Sequence, residues 1–467
     1  MSSFPDPEYT PLLANNNIAH DGVYHRFTRS QKRLILAIVS WAGVIPFFLS
    51  GSFMPSIPQI AKDLDSTPAT ISLSISFATF ASGLGTLFWG TYSSYYGRRP
   101  IYLASVPCLV VSSLGSGLST TAPELFIWRS VQAFGAGSGL SVGGAVVGDI
   151  YKLEERGKAL GIFIAVQLIG PAVGPLLGGA ATHYASWRVL QYLLCIGSML
   201  TFVLAITFLP ETSHPGSRGM DKASLGSGNP PRFVIINPLN SLRLLRSPLL
   251  LLQGTIGSFV LFTDFVLWVP LSYTIGERYG ISNETLIGAC FLPSGIGSLI
   301  GAPLAGWLSD KIVKTLRAKR DGKWVPEDRI RGTEFGSLFL VPVSVALAGF
   351  SSRYVDGMLG VILNLIALFL NGLGVVLALA PLGTYVIDVF HKDSAEASAA
   401  TNAMRLFLCA FMTTGIMPSL DHYGVLITNL LSASLAWVAY GLLVLMIRYG
   451  DKLRAMVDVG FSTIQPE

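Results

Sequence analysis

Twelve stretches of about 20 mainly apolar residues follow one another along the chain, near 34–57, 70–93, 100–119, 122–147, 157–181, 187–208, 248–273, 285–308, 335–351, 357–386, 398–418 and 424–447. Each is long enough to cross a bilayer as a helix. In lipid every backbone polar group needs an internal partner, so runs of this length read as spanning helices. The expectation is an all-α membrane protein with twelve transmembrane helices. Only 13% of residues are charged against 51% hydrophobic, and almost nothing outside the spans is left for a soluble catalytic domain.

The first 33 residues are polar and lack an apolar core followed by a small-residue cleavage site, so no removable signal peptide is expected. The net charge of +5 follows where Lys and Arg sit. With the amino terminus in the cytosol, the inner segments hold Arg26, Arg29, Lys32 and Arg33, then Arg98 and Arg99, then Lys152, Arg156 and Lys158, the basic 211–247 and 309–333 loops, and Arg448, Lys452 and Arg454. The outer loops offer little beyond Lys62, Arg188, Arg278 and Arg353. That is the positive-inside pattern, which places both termini in the cytosol and removes the need for a nucleic-acid partner. The sequon at Asn283 then falls outside, open to glycosylation. Cys108, Cys195, Cys290 and Cys409 all lie in predicted spans, and the six histidines are scattered without metal-ligand spacing. No disulfide, metal site or cofactor is expected.

The spans divide six and six around a Gly/Ser/Pro-rich basic connection. The expected organisation is a disordered tail over 1–33, a six-helix bundle over 34–210, a cytoplasmic linker over 211–247, a second bundle over 248–447 and a tail over 448–467. An internal repeat supports it: Gly85, Gly90 and Ser94 at the end of the second span match Gly301, Gly306 and Asp310 at the end of the eighth. A six-helix half duplicated in the same orientation suits a transporter that rocks two bundles around a midplane site.

Several motifs resemble one family in their order and spacing: "GTYSSYYGRRP" between the second and third spans, "WRSVQAFGAG" in the fourth, "GPAVGPLLGG" in the fifth, "FLPETS" after the sixth and "NAMR" in the eleventh. The chain resembles a twelve-helix member of the major facilitator superfamily, of the fungal drug:proton antiporter branch, over essentially everything after residue 30. The resemblance implies alternating access of two pseudo-symmetric bundles.

In the fifth span Gly170, Gly174 and Gly178 recur every four residues and share a face, with Pro171 and Pro175 beside them and Gly179 following. Small residues let helices approach closely, and each proline removes a backbone hydrogen bond. The resemblance implies an antiporter motif that seals against the eighth span, where Gly297 and Gly301 supply the facing pair.

Arg129 lies about seven residues into the fourth span, roughly 10 Å from its outer end. An intramembrane arginine is costly unless it faces a bundle interior or cavity, and Gln132 is on the same face one turn along. The stripe suits an anionic ligand or a protonatable partner, or an arginine that only orders water. Asp264 in the seventh span is the clearest intramembrane acid and the first candidate proton carrier; a polar group satisfied by Thr263 is the alternative. Glu124, at the mouth of the fourth span, is a second candidate carrier that water can solvate. Gln167, Asn364 and Asn371 are expected to line the same cavity, with Phe265, Trp268 and Tyr273 as aromatic wall.

The loop after the second span departs from the family pattern. Gly90, Ser94, Tyr95, Gly97, Arg98 and Arg99 stand where the family has an acid and a further base at the positions of Ser94 and Tyr95, so the acidic partner of an arginine gate is missing there. The second copy keeps Asp310 and Lys311, a charged latch, and Arg405 near the inner end of the eleventh span is a candidate partner for either loop. Glu8 to Leu13, "EYTPLL", resembles an acidic dileucine sorting signal or is plain tail.

The expected function is secondary export of drug- or toxin-like small molecules, in exchange for protons, by a monomer in the bilayer. The plasma membrane, or a vacuolar or endosomal one, is the expected location. No enzyme constellation and no nucleotide-binding motif is visible. Export of an organic acid or secondary metabolite, with Arg129 anchoring a carboxylate, is the alternative. A nontransporting sensor is a third reading, made less attractive by a short carboxy-terminal tail.

Overall fold

The computed structural model describes residues 24, 26–216, 218–221, 234–321, 325–390 and 394–455. The dileucine-like segment at 8–13 lies outside them. The described residues are all-helical, without strands. Among the described residues, eleven helices are long and apolar enough to cross a membrane: α1 Arg29–Asp63, α2 Pro68–Tyr96, α3 Arg98–Leu118, α4 Ala122–Ile150, α5 Glu155–Tyr184, α6 Trp187–Phe208, α7 Pro248–Glu277, α8 Glu284–Lys319, α9 Glu327–Tyr354, α10 Gly357–Val389 and α12 Ile416–Arg454. Between the last two lies α11, Ser394–Thr413. The eleventh span was expected at 398–418; it begins and ends earlier. Its Ser, Thr and Ala content and Glu396 and Arg405 make it less apolar than the rest, which it can be because it packs against α2 and α7. The ninth span also starts earlier than expected, at Glu327.

Local sequence sets the ends and the bends. Thr28 and Gln31 form a reciprocal capping box at the start of α1, and Thr67, Thr121 and Asn283 each accept a backbone N–H at the starts of α2, α4 and α8. The first helix therefore begins at Arg29, inside the stretch read as tail. Helix α5 breaks at Leu168 into Leu153–Gln167 and Ile169–Tyr184, because Pro171 has no N–H to offer the carbonyl of Gln167. Helix α7 loosens into a π-turn at Ser272–Glu277, just after Pro270.

Helices α2 and α4, and likewise α8 and α10, pack extensively along each other, at equivalent positions in the two repeats. Gly85 makes the first possible: a methyl there would lie 2.3 Å from the carbonyl oxygen of Phe134. Gly301 and Gly297 do the same for the second, against Leu373 and Phe369 of α10. Gly90 has ordinary space beside Ser141, and Gly306 has open space.

Three buried apolar clusters organise the interior. One draws only on the first six helices, around Val39, Tyr102, Val146 and Leu209. A second draws only on the last six, around Leu250, Val341, Tyr385 and Leu443. Both lie toward the face that carries the start of α1 and the end of α12, called here the terminal face. The third lies toward the far face and joins the halves: Phe53, Ile57, Ile71 and Trp187 pack in one cluster with Phe265, Leu271, Phe291 and Met417. Among the described residues, the halves share a buried apolar cluster only at the far face.

Candidate transport pathway and its gates

The far-face seam is built from α5 against α8 and α2 against α11. On α5 the residues that meet α8 are Ala172, Pro175 and Gly179, not the Gly170–Gly174–Gly178 face. A methyl on Gly179 would sit 2.1 Å from the Glu284 carbonyl oxygen, one on Gly288 2.3 Å from that of Pro175, and one on Gly295 2.3 Å from Ala172. Gly170, Gly174 and Gly178 instead receive α1, with a methyl on Gly178 placed 2.1 Å from the Ser52 carbonyl oxygen. Helices α5 and α8 do pack together as expected, but through the neighbouring face. Gly297 and Gly301 of α8 turn away from it toward α10, because positions 288 and 295 share one face of the helix and 297 and 301 lie on another. His183 Nδ1, 2.8 Å from Glu284 Oε2, adds a polar bridge across the same seam. At the second seam Phe407 stacks 4.8 Å from Phe80 and lies over Gly83.

Behind this seam lie three intramembrane charges. Arg129 is 2% exposed, with its guanidinium 3.5 Å above the Phe53 ring, and its Nε and Nη1 have no hydrogen-bond partner. The ring face attracts the cation and leaves those donors unspent. Gln132 turns into its own half, donating to Ser113 Oγ at 2.8 Å and Gln191 Oε1 at 3.2 Å. Asp264 is 6% exposed and its Oδ1 has no partner. Thr263 does not satisfy it: that hydroxyl donates to the Val260 carbonyl and accepts from Asn371. Arg405 stands midway along α11 rather than near its inner end, lies against Gly257 of α7, and its Nε is also unpartnered. Cys409, one turn on, has Arg405 and Asp264 as its charged neighbours.

The amides do not share one cavity. Gln167 packs against Gly43 at the break in α5, where a methyl would lie 2.7 Å from Nε2. Asn364 is tied to Ser352, Tyr279 and the Gly360 carbonyl. Asn371 bridges Thr263 and Ser344. The last two join helices of the second half, although Asn371 Oδ1 is buried without a hydrogen-bond partner. Trp268 and Tyr273 are different, since Trp268 Nε1 and the Tyr273 hydroxyl are buried without partners. Glu124 is at the exposed start of α4 and accepts from the Thr120 backbone and hydroxyl at 2.9 and 3.1 Å. Asn283 Oδ1 caps α8.

At the terminal face several charges are paired. The acid absent at Ser94 is supplied from elsewhere: Arg98 Nε is 2.9 Å from Asp149 at the end of α4, and Glu211 after α6 accepts from the backbone N–H of Arg98, Arg99 and Ser213. Gly97, at φ +107°, makes the turn, and a side chain there would strike the Glu211 carboxylate. Ser94 itself only returns a hydrogen bond to Gly90. In the second half Arg329 takes the equivalent place at the start of α9, 2.5 Å from Asp388 at the end of α10 and 3.5 Å from Asp310. Lys311 lies over the Trp307 ring. The Asp310 latch closes inside its own half, and Arg405 reaches neither loop. Sequence reading missed Asp149, Glu211, Arg329 and Asp388; the signal available was that each acid ends a span or follows the "LPE" turn facing a basic loop.

Residues 39–413 match the profile of the Major Facilitator Superfamily. Citrate exporter 1 of Aspergillus niger is 28% identical over 96% of this chain and 91% of its own length. Efflux pump radE of Floropilus chiversii is 25% identical over 90% and 80%. A bacterial homologue of the human lysosomal transporter Spinster, solved inward-facing and unoccupied, has the same fold, with a TM-score of 0.64, 15% identity, and coverage of 92% of this chain and 99% of that one. Matched from the first span into the eleventh, with its helices paired as two repeats, the chain belongs to the Major Facilitator Superfamily of membrane transporters.

Proposed function

We propose that this protein is a secondary exporter of small organic anions, with both termini in the cytosol and the pathway open to the terminal face. The observation that carries the reading is the charge of the interior: Arg129 and Arg405 against Asp264, each with an unpartnered polar atom. Two cations and one acid leave an excess that a carboxylate can neutralise, and unspent guanidinium donors are suited to grip one. The far-face cluster supports a conformation closed on that side. The similarity to a citrate exporter agrees with the same cargo class.

Asp264 is the proton-coupling residue in this proposal. A buried carboxyl without a partner has to gain or lose a proton as the pathway changes sides, and Arg405 lies one turn from the Cys409 that they share as neighbour. In this reading the chain acts as a monomer in the plasma membrane, with the positive-inside pattern setting its orientation.

A second reading is export of apolar aromatic compounds by proton antiport. Trp268 and Tyr273 favour it, because their buried polar tips lack partners beside an aromatic wall, and the similarity to an efflux pump points the same way. Cells overproducing the protein, or its Arg129→Ala variant, separate the two. Release of a carboxylate that vanishes with Arg129 supports the anion reading. Efflux of added apolar compounds, unaffected by that change and with no carboxylate released, overturns it.

A further inference from the structure

Away from the pathway, the terminal face of the first half carries a crevice of about 470 Å³ between the starts of α1 and α3 and the end of α6. Its walls include Arg26, Leu34, Arg99 and Phe208. The polar side is cationic. Arg99 donates through Nη2 to the Ile206 carbonyl at 2.9 Å, and its Nε is buried without a partner. The acids at this turn are engaged by other groups: both Glu211 oxygens take backbone N–H groups, and Asp149 takes Arg98. Arg26 is held at the rim by the Thr212 and Ser213 carbonyls, which fixes a second guanidinium beside the crevice.

The other side is apolar and open. Leu34 is 42% exposed and Phe208 53%, and both belong to spanning helices, so their exposed surface meets hydrocarbon. A free anion would use the arginines and ignore that wall. An amphiphile uses both, its headgroup at the boundary and a chain running down into the bilayer.

We propose that this crevice binds an anionic phospholipid of the terminal-face leaflet, with the phosphate held by Arg99 and Arg26 and one acyl chain against Leu34 and Phe208. The lipid then ties α1, α3 and α6 together at the end of the first half. It is a second site, independent of the anion reading of the pathway.

The test is lipid retention by the purified full-length protein, measured by native mass spectrometry after incubation with phosphatidylglycerol, phosphatidylcholine or inorganic phosphate. Preferential retention of phosphatidylglycerol is expected, weakened about fivefold by Arg99→Gln, the scale of one cation at an anionic surface. Arg99→Lys should restore most of it, and Phe208→Ser should weaken the lipid while leaving any phosphate adduct unchanged. Should Arg99→Gln fail to fold, Arg26→Gln reads the same contact. Equal retention of the two lipids, or undiminished phosphatidylglycerol on both arginine variants, overturns the proposal; so does displacement of the lipid by inorganic phosphate.

Discussion

Charge at the terminal face and charge in the interior are handled in opposite ways. At the terminal face Arg98 has Asp149, Arg329 has Asp388, and the 1%-exposed Asp328 has Arg320 at 2.6 Å. In the interior Arg129 and Asp264 are buried, and neither they nor Arg405 has an ion-pair partner among the described residues. Paired charges fix helix ends; removing one partner leaves the other exposed to the full cost of desolvation. Unpaired charges cost stability already in the resting protein, so they persist only where something else uses them. In the proposed function the contrast separates residues that hold the fold from those that handle cargo.

The comparison breaks most sharply at the seam between the two regions. Gly179→Leu should abolish transport, because its side chain would have to displace the Glu284 backbone; solute flux in reconstituted vesicles reads this, and transport at the normal rate would show that the α5–α8 contact is not part of the cycle. Next, Arg129→Met should reduce carboxylate transport by about 10- to 100-fold, the worth of a charge-assisted hydrogen bond, while the thermal midpoint holds or rises. A fall in stability together with retained flux would make Arg129 a structural residue. Asp149→Asn should show the reverse pattern, with stability lowered by about 1–3 kcal/mol in a denaturation assay and flux at saturating substrate changed far less. Smallest of all is Ser94→Asp, which restores the acid of the family pattern at an exposed position already bypassed by Asp149 and Glu211. A change within about 0.5 kcal/mol is expected, and a large gain in stability would show that the Arg98 site is incompletely satisfied.

The fold was legible because lipid imposes a minimum length of apolar helix, and the matched glycines at Gly85 and Gly301 revealed the duplication before any contact was known. The interior charges were legible for a related reason: an ionisable residue within an apolar run stands out. Partners were not. Helical periodicity groups Gly170, Gly174 and Gly178 on one face but does not say that α1 rather than α8 receives it. Asn364 and Asn371 look like cavity residues until the Ser352, Ser344 and Thr263 hydroxyls are seen beside them. Asp149 sits 51 residues from Arg98 and Glu211 more than twice as far, so local motif reading found a missing acid where the fold supplies two.

Glu211 also imposes an order on biosynthesis. Its carboxylate accepts the backbone N–H groups of Arg98 and Arg99, yet it is translated only after all of α3 to α6. Chains emerge from the amino end and assemble in that direction, so the α2–α3 turn lacks these two backbone contacts in the nascent protein until the sixth span has been released. Completion of the first half is thereby recorded at an earlier turn, and a ribosome-stalled chain ending before residue 211 should expose that turn to protease while one long enough to free residue 211 from the ribosome protects it.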